Sequence, residues 1–140
     1  MPVHRIRLRG PWEFAWESSL RANSPVVTEG TTAMPCDWKL LFGSHAGTAV
    51  FRRRFHCPTN LEQQDQVWLV CSGVRGLGTI LINDTPLREF SADGDVVECE
   101  LTTALKPVNI VSVRLTVDFA ITNTAPAGLF EQVALEIRGA

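Results

Sequence analysis

The residues able to do chemistry in this chain are few and scattered along its 140 positions. Glycosidic-bond hydrolysis needs two carboxyl groups at a defined separation. Glu98 and Glu100 supply one such pair, since same-face neighbours on a strand lie roughly 7 Å apart. Alternating glutamates on an outward face also serve a simpler purpose, which is to keep a sheet soluble. That plainer reading is adopted, and no residue is assigned a catalytic role. His4, His45 and His56 are far apart, and no serine lies in a recognisable nucleophile elbow. Cys36, Cys57, Cys71 and Cys99 show neither CxxC spacing nor a nearby histidine pair, so they do not read as zinc ligands. Cys99 shares strand parity with Val97 and Leu101, as a buried thiol would. Reduced thiols are expected, although four cysteines can form two bridges in an oxidising compartment. Asp93-Gly94-Asp95 offers the hard oxygen ligands that calcium prefers. A solvated turn explains the same residues equally well. The expectation is no cofactor, with a structural calcium at Asp93 and Asp95 as the alternative.

Binding residues are easier to nominate than catalytic ones. A sugar site stacks an aromatic ring on the apolar face of a pyranose and fixes its hydroxyls with polar groups. The chain has four tryptophans, Trp12, Trp16, Trp38 and Trp68, and no tyrosine. Trp16 falls near the end of an alternating segment, where a ring can be exposed. Phe42-Gly43-Ser44-His45-Ala46-Gly47 is a small-residue loop, and loops on a rigid scaffold often carry function. Ser44 and His45 are its polar members. Arg53 shares parity with Phe51 and Phe55, so it points toward the core if they do. A buried guanidinium must be paired.

The elements that must position these residues are strands. Val111, Val113, Leu115, Val117 and Phe119 alternate with Ser112, Arg114, Thr116 and Asp118, a half-buried strand with one wet face. Trp12, Phe14 and Trp16 alternate in the same way with Glu13, Ala15 and Glu17, as do Val133, Leu135 and Ile137 with Ala134, Glu136 and Arg138. Val67–Cys71 and Thr79–Ile82 are nearly continuous apolar runs, suited to central strands, with turn chemistry expected between them at Ser72-Gly73 and Gly76-Leu77-Gly78. Asn83-Asp84 predicts a tight hairpin. Leu101–Leu105 has room for one short helical turn before Pro107. About eight or nine short strands, with no long helix, repeat or linker, predict an all-β antiparallel sandwich forming one domain over residues 1–140.

The formal net charge of −2 gives no electrostatic reason to expect nucleic acid or an anionic membrane as partner. No stretch approaches the roughly 20 apolar residues of a membrane helix. Met1–Gly10 lacks the apolar run of a signal peptide. The expected location is the cytoplasm, or the periplasm or exterior if an export signal has been removed.

Several motifs occur in a recognisable order. Leu8, Gly10, Trp12 and Phe14 resemble the L-x-G-x-W-x-F opening of the N-terminal domain of family 2 glycoside hydrolases, the β-galactosidase, β-glucuronidase and β-mannosidase group. Met34-Pro35-Cys36-Asp37-Trp38 is similar to its P-x-x-W segment. Gly47, Phe51-Arg52-Arg53-Arg54-Phe55 and Pro58 resemble its G-x-x-x-Y-x-R-x-F-x-x-P strand, with Phe51 in place of tyrosine. Ile82-Asn83, the Leu101–Val113 stretch and Gly128–Leu135 continue the match over nearly the whole chain.

The resemblance implies a jelly-roll sandwich of the galactose-binding-domain type, which in those enzymes packs beside a (β/α)₈ barrel that carries the catalytic glutamates. It implies a non-catalytic carbohydrate-binding role here, with either a hydrolase barrel or a second copy as partner. A structural or protein-interaction module without a sugar ligand is the alternative. By the resemblance, the loop around Ser44 and His45 approaches the sugar, Trp12 and Trp38 look structural, and Asp37 lies near enough to Arg53 to pair with it. The family's aromatic-Arg pair is Phe130-Glu131 here, a departure that removes whatever contact the arginine makes. The candidate ligand-binding set is therefore Trp16, Asp37, Trp38, Ser44, His45 and Arg53.

Overall fold

The computed structural model describes residues 3–21, 23–119 and 126–139. The described strands are β1 (Val3–Arg7), β2 (Trp12–Ser19), β3 (Glu29–Thr32), β4 (Gly47–His56), β5 (Gln66–Ile82), β6 (Thr85–Glu100), β7 (Val108–Val117), β8 (Gly128–Leu129) and β9 (Val133–Arg138). One short helix, α1 (Trp38–Phe42), precedes β4, and a single 3₁₀ turn at Thr102–Ala104 stands where a short helical turn was expected. All pairings are antiparallel, in the order β1-β9-β5-β7-β4-β2-β3, with β6 and β8 also joined to β5.

The two layers share one long hairpin. The first part of β5, Gln66–Cys71, pairs with β9, and its last part, Leu77–Ile82, pairs with β7. β6 accompanies β5 along both parts, so the sheet folds back over itself. The fold-over sits where the β5–β6 register slips twice, around Val74, and where Gly76 has φ 142°. Only glycine takes that conformation without strain. A Cβ at Gly76 would also lie 2.7 Å from the Thr116 carbonyl oxygen. Turns were expected at Ser72-Gly73 and Gly76–Gly78. The glycines instead bend a strand that continues on both sides, because its pairing with β6 resumes beyond the slips and β8 pairs with it at Val74 and Arg75.

The alternation lands as expected on the inner face of β7, while Ser112, expected on the wet face, is buried where β7 runs between β4 and β5. Val111, Val113, Leu115 and Val117 are all buried on β7, and Phe119 is buried beyond its end. Facing them from the other layer are Val67, Leu69, Cys71, Val97, Cys99, Val133 and Leu135. The Asn83-Asp84 hairpin forms with φ of 51° and 68°, the left-handed pair that a two-residue hairpin turn requires. β9 departs from the expected wet outer face, since Ala134 and Glu136 are buried as well. Glu136 there is bonded by Arg5 and, at 2.9 Å, by Arg138. Arg138 reaches Glu98 at 2.6 Å and lies over the Trp68 ring at 4.5 Å, roofing that face. No helix among the described residues is long and apolar enough to cross a membrane.

Candidate ligand-binding site

One end of the sandwich gathers the ends of four elements. The chain leaving β2 is held by Leu20 N–H donating to the Ala46 carbonyl at 2.9 Å. α1 begins at Asp37, whose carboxylate accepts from the Lys39 N–H at 3.2 Å, the usual satisfaction of a free helix N–H. It stops at Gly43, with φ 65°, whose N–H donates to the Lys39 carbonyl. That stop turns the chain into the Ser44–Ala46 loop. Trp38 Nε1 then fixes the loop by donating to the His45 carbonyl at 3.0 Å.

Two clefts open at this rim and meet at the ion pair between Arg21 and Asp118, 3.0 Å apart. The first, about 390 Å³, is lined by Arg21, Asn23, Ser44, His45 and Phe119. Its floor is steadied by the Lys39 ammonium 5.2 Å over the Phe119 ring. The second, about 480 Å³, lies at the β5–β6 bend and includes Leu20, Arg75, Leu77, Asp93, Asp95 and Asp118. Arg75 is held firmly there. Its Nε donates to Asp93 at 2.9 Å, another N–H donates to the Pro126 carbonyl, and its guanidinium lies 5.2 Å over the Phe130 ring. The rim thus presents neutral donors and acceptors, compensated charges and exposed leucines. Such a surface can hold a polyhydroxylated ligand by hydrogen bonds and apolar contact.

The nominated residues divide. Ser44 is exposed and His45 half-buried, and both line the first cleft. Trp16 is not at a strand end: it sits within β2, half-buried, 4.9 Å from the Phe42 ring and 5.6 Å from Trp38. Trp38 is only 1% exposed and packs on Phe42 at 4.8 Å, leaving no ring face for a pyranose. Asp37 caps α1 and also accepts from the Ala127 N–H at 3.2 Å, which ties the loop before β8 to the helix. It does not pair with Arg53. That arginine lies six residues beyond Gly47 along β4, about 20 Å away at 3.3 Å per residue. The rim therefore holds Ser44 and His45 directly, with Asp37, Trp16 and Trp38 beneath them and Arg53 at the far end.

Arg21, Asn23, Arg75 and Asp118 were not nominated. Their only signal was Arg75 standing between glycines in an apolar run, and no local pattern shows that three distant loops converge. Asp93 and Asp95 do reach the rim. Asp93 is engaged by Arg75, and Asp95 accepts from the Asp93 N–H at 3.0 Å. No group of three or more histidine, cysteine or acidic residues gathers around a common point among the described residues. Glu98 and Glu100 lie on the outer face of the other layer, engaged by Arg138 and Thr102. All four cysteines are free thiols, Cys71 and Cys99 buried and Cys36 and Cys57 half-buried.

No protein-family model and no curated protein sequence matches the chain. Its architecture is nevertheless shared with parts of solved glycosidase structures. An FMN-binding β-glucuronidase from Faecalibacterium prausnitzii L2-6 superposes over 98% of this chain and 23% of its own, with TM-score 0.78 and 18% identity. A putative β-galactosidase from Bacteroides fragilis gives TM-score 0.78 and 18% identity over 99% of this chain and 24% of its own. A Bifidobacterium dentium β-glucuronidase, solved with coumarin-3-O-glucuronide, gives the same score and identity over 99% and 30%. The chain thus spans about a quarter of the length of these proteins, and what it shares with them is the fold.

Proposed function

We propose that this domain is a non-catalytic carbohydrate-binding module whose ligand lies along the rim between Ser44-His45 and Arg75. The observation that carries the reading is the meeting of two clefts at the Arg21–Asp118 pair. Hydroxyl-bonding groups from Asn23, Ser44, His45 and Asp95 there flank the exposed Leu20 and Leu77. The likeness to solved β-glucuronidases and a putative β-galactosidase supports it at the level of fold. Titration calorimetry with galactosides, glucuronides and mannosides at millimolar levels tests it, together with amide shift mapping. Saturable shifts at Ser44 and His45, weakened about tenfold by His45→Ala, are expected for a lost polar contact. No binding to any of the three classes overturns the reading. Nitrophenyl glycosides are expected to show no turnover, and activity that disappears with a single carboxylate would reverse that conclusion.

A second reading has its own observation. Leu77 is 57% exposed and Leu20 50% exposed in one cleft, an apolar pair suited to docking a partner or a second copy. Light scattering separates the two: a concentration-dependent dimer dissociated by Leu77→Arg favours the interaction module, and a monomer at all concentrations favours the binding module.

A further inference from the structure

The far end of β4 carries three consecutive arginines, Arg52, Arg53 and Arg54, which line one open cleft of about 430 Å³ with Pro11, Glu13 and Thr31. The cleft exists because a ladder ends. β2 pairs with β4 from Glu13–Arg52 onward, and Pro11 has no N–H with which to extend the pairing. Past Arg52, β4 keeps its β7 neighbour on one side only. Arg53, on the core parity of Phe51 and Phe55, lies half-buried at this opening.

Its bonding is incomplete. Nη1 donates to the Arg54 carbonyl at 2.9 Å, while Nε is buried with no acceptor. It is the only such side-chain nitrogen or oxygen among the described residues. A buried donor left without a partner is costly, and the side chain is relieved of that cost when it turns outward to meet an acceptor. Arg5, Arg21, Arg75, Arg114 and Arg138 each contact a carboxylate, and Arg53 does not. Burial also lowers its pKa from the ordinary arginine value. Against three arginines the cleft lining offers one acid, Glu13. With Nη1 occupied, Nε and Nη2 remain as the side edge of the guanidinium, the pair that grips an oxyanion through two parallel hydrogen bonds.

We propose that this cleft binds the oxyanion group of a small ligand, a carboxylate, phosphate or sulfate, through Arg53 with Arg52 and Arg54 in support. The site lies at the opposite end of the sandwich from the rim and is independent of the sugar-binding reading. Because Nε is covered, binding turns the Arg53 side chain outward. The test follows the arginine Nε–H signals by NMR while inorganic phosphate, sulfate or acetate replaces chloride at constant ionic strength. The Arg53 signal is expected to move saturably at millimolar anion, with the Arg21 and Arg114 signals still. A response to acetate alone assigns a carboxylate, and a response to phosphate or sulfate assigns a tetrahedral oxyanion. No movement, or linear movement shared by all arginines, overturns the proposal. Replacing Arg52 and Arg54 together by glutamine, on the exposed side of the strand, is expected to weaken binding about tenfold, as loss of charge-assisted contacts should. An unchanged titration in that variant also overturns it.

Discussion

At the scale of single residues, the sequence showed which side chains had unusual demands but not how they were met. Asp37 was nominated as a partner for Arg53 and instead caps α1 and holds the Ala127 N–H. Both jobs are lost in Asp37→Ala, which is expected to lower stability by about 1–2 kcal/mol in urea unfolding. A drop below a few tenths would show that the cap is dispensable. The thiols make a second case. Val97, Cys99 and Leu101 share an apolar face, as parity required, and burial pushes the Cys71 thiol up to about 12. Only a thiolate attacks a disulfide reagent. At pH 8 the native protein is expected to release colour first from Cys57 and more slowly from Cys36, whose thiol pKa burial also raises. The other two are expected to react only after denaturant, as mass spectrometry of the labelled peptides can verify. Rapid labelling of Cys71 would place it outside the core.

At the scale of elements, strand alternation was legible because a period of two leaves one face buried and a one-residue slip would expose it. The inner face of β7 shows this along its whole length, with Ser112 alone buried on the outer one. The Asn83-Asp84 hairpin was legible for a different reason, since few residues tolerate two successive left-handed conformations. Asn83 justifies its place, its side chain accepting from the Ile110 N–H at 2.9 Å and donating to Asn109 at 3.0 Å. The side chain of Asp84 is exposed at φ 68°. Asp84→Gly should therefore stabilise the protein by about 0.5–1 kcal/mol, by removing a left-handed non-glycine residue. A lower melting temperature in that variant would show that the turn depends on the carboxylate. The bend in β5 was not legible. Glycines signal that the backbone can depart from a strand, but whether it turns or bends depends on ladders formed with β7, β8 and β9.

At the scale of the whole molecule, the outer roof of one layer ties separate strands together. Arg5 of β1, Glu136 and Arg138 of β9 and Glu98 of β6 form one chain of charges over the β5 residue Trp68. The hydrogen bond from Arg5, with the Arg138 contacts, holds the Glu136 carboxyl below its ordinary pKa against the opposing effect of burial. A depressed folded-state pKa contributes stability above the unfolded value, about 4.3 for glutamate, and that contribution fades as pH falls through the folded value. The melting-temperature gap between the protein and Glu136→Gln should be widest near neutral pH and close below pH 4. A gap independent of pH would show that Glu136 matters only for its shape.

The sequence alone determined the fold class, the faces of most strands and the hairpin at Asn83-Asp84, since each depends on near neighbours: parity, turn chemistry and the burial of alternate side chains. It also placed Ser44 and His45 in a loop. Only the tertiary structure decided that this loop shares a cleft with Arg21 and Asn23 beside a second cleft that holds Arg75 and Asp118, that Trp38 is interior and that Arg53 stands at the other end. Those outcomes depend on which strands pair across the chain. β5 joins β9 and β7 through partners some 30 to 70 residues away in sequence, and no local pattern encodes that choice.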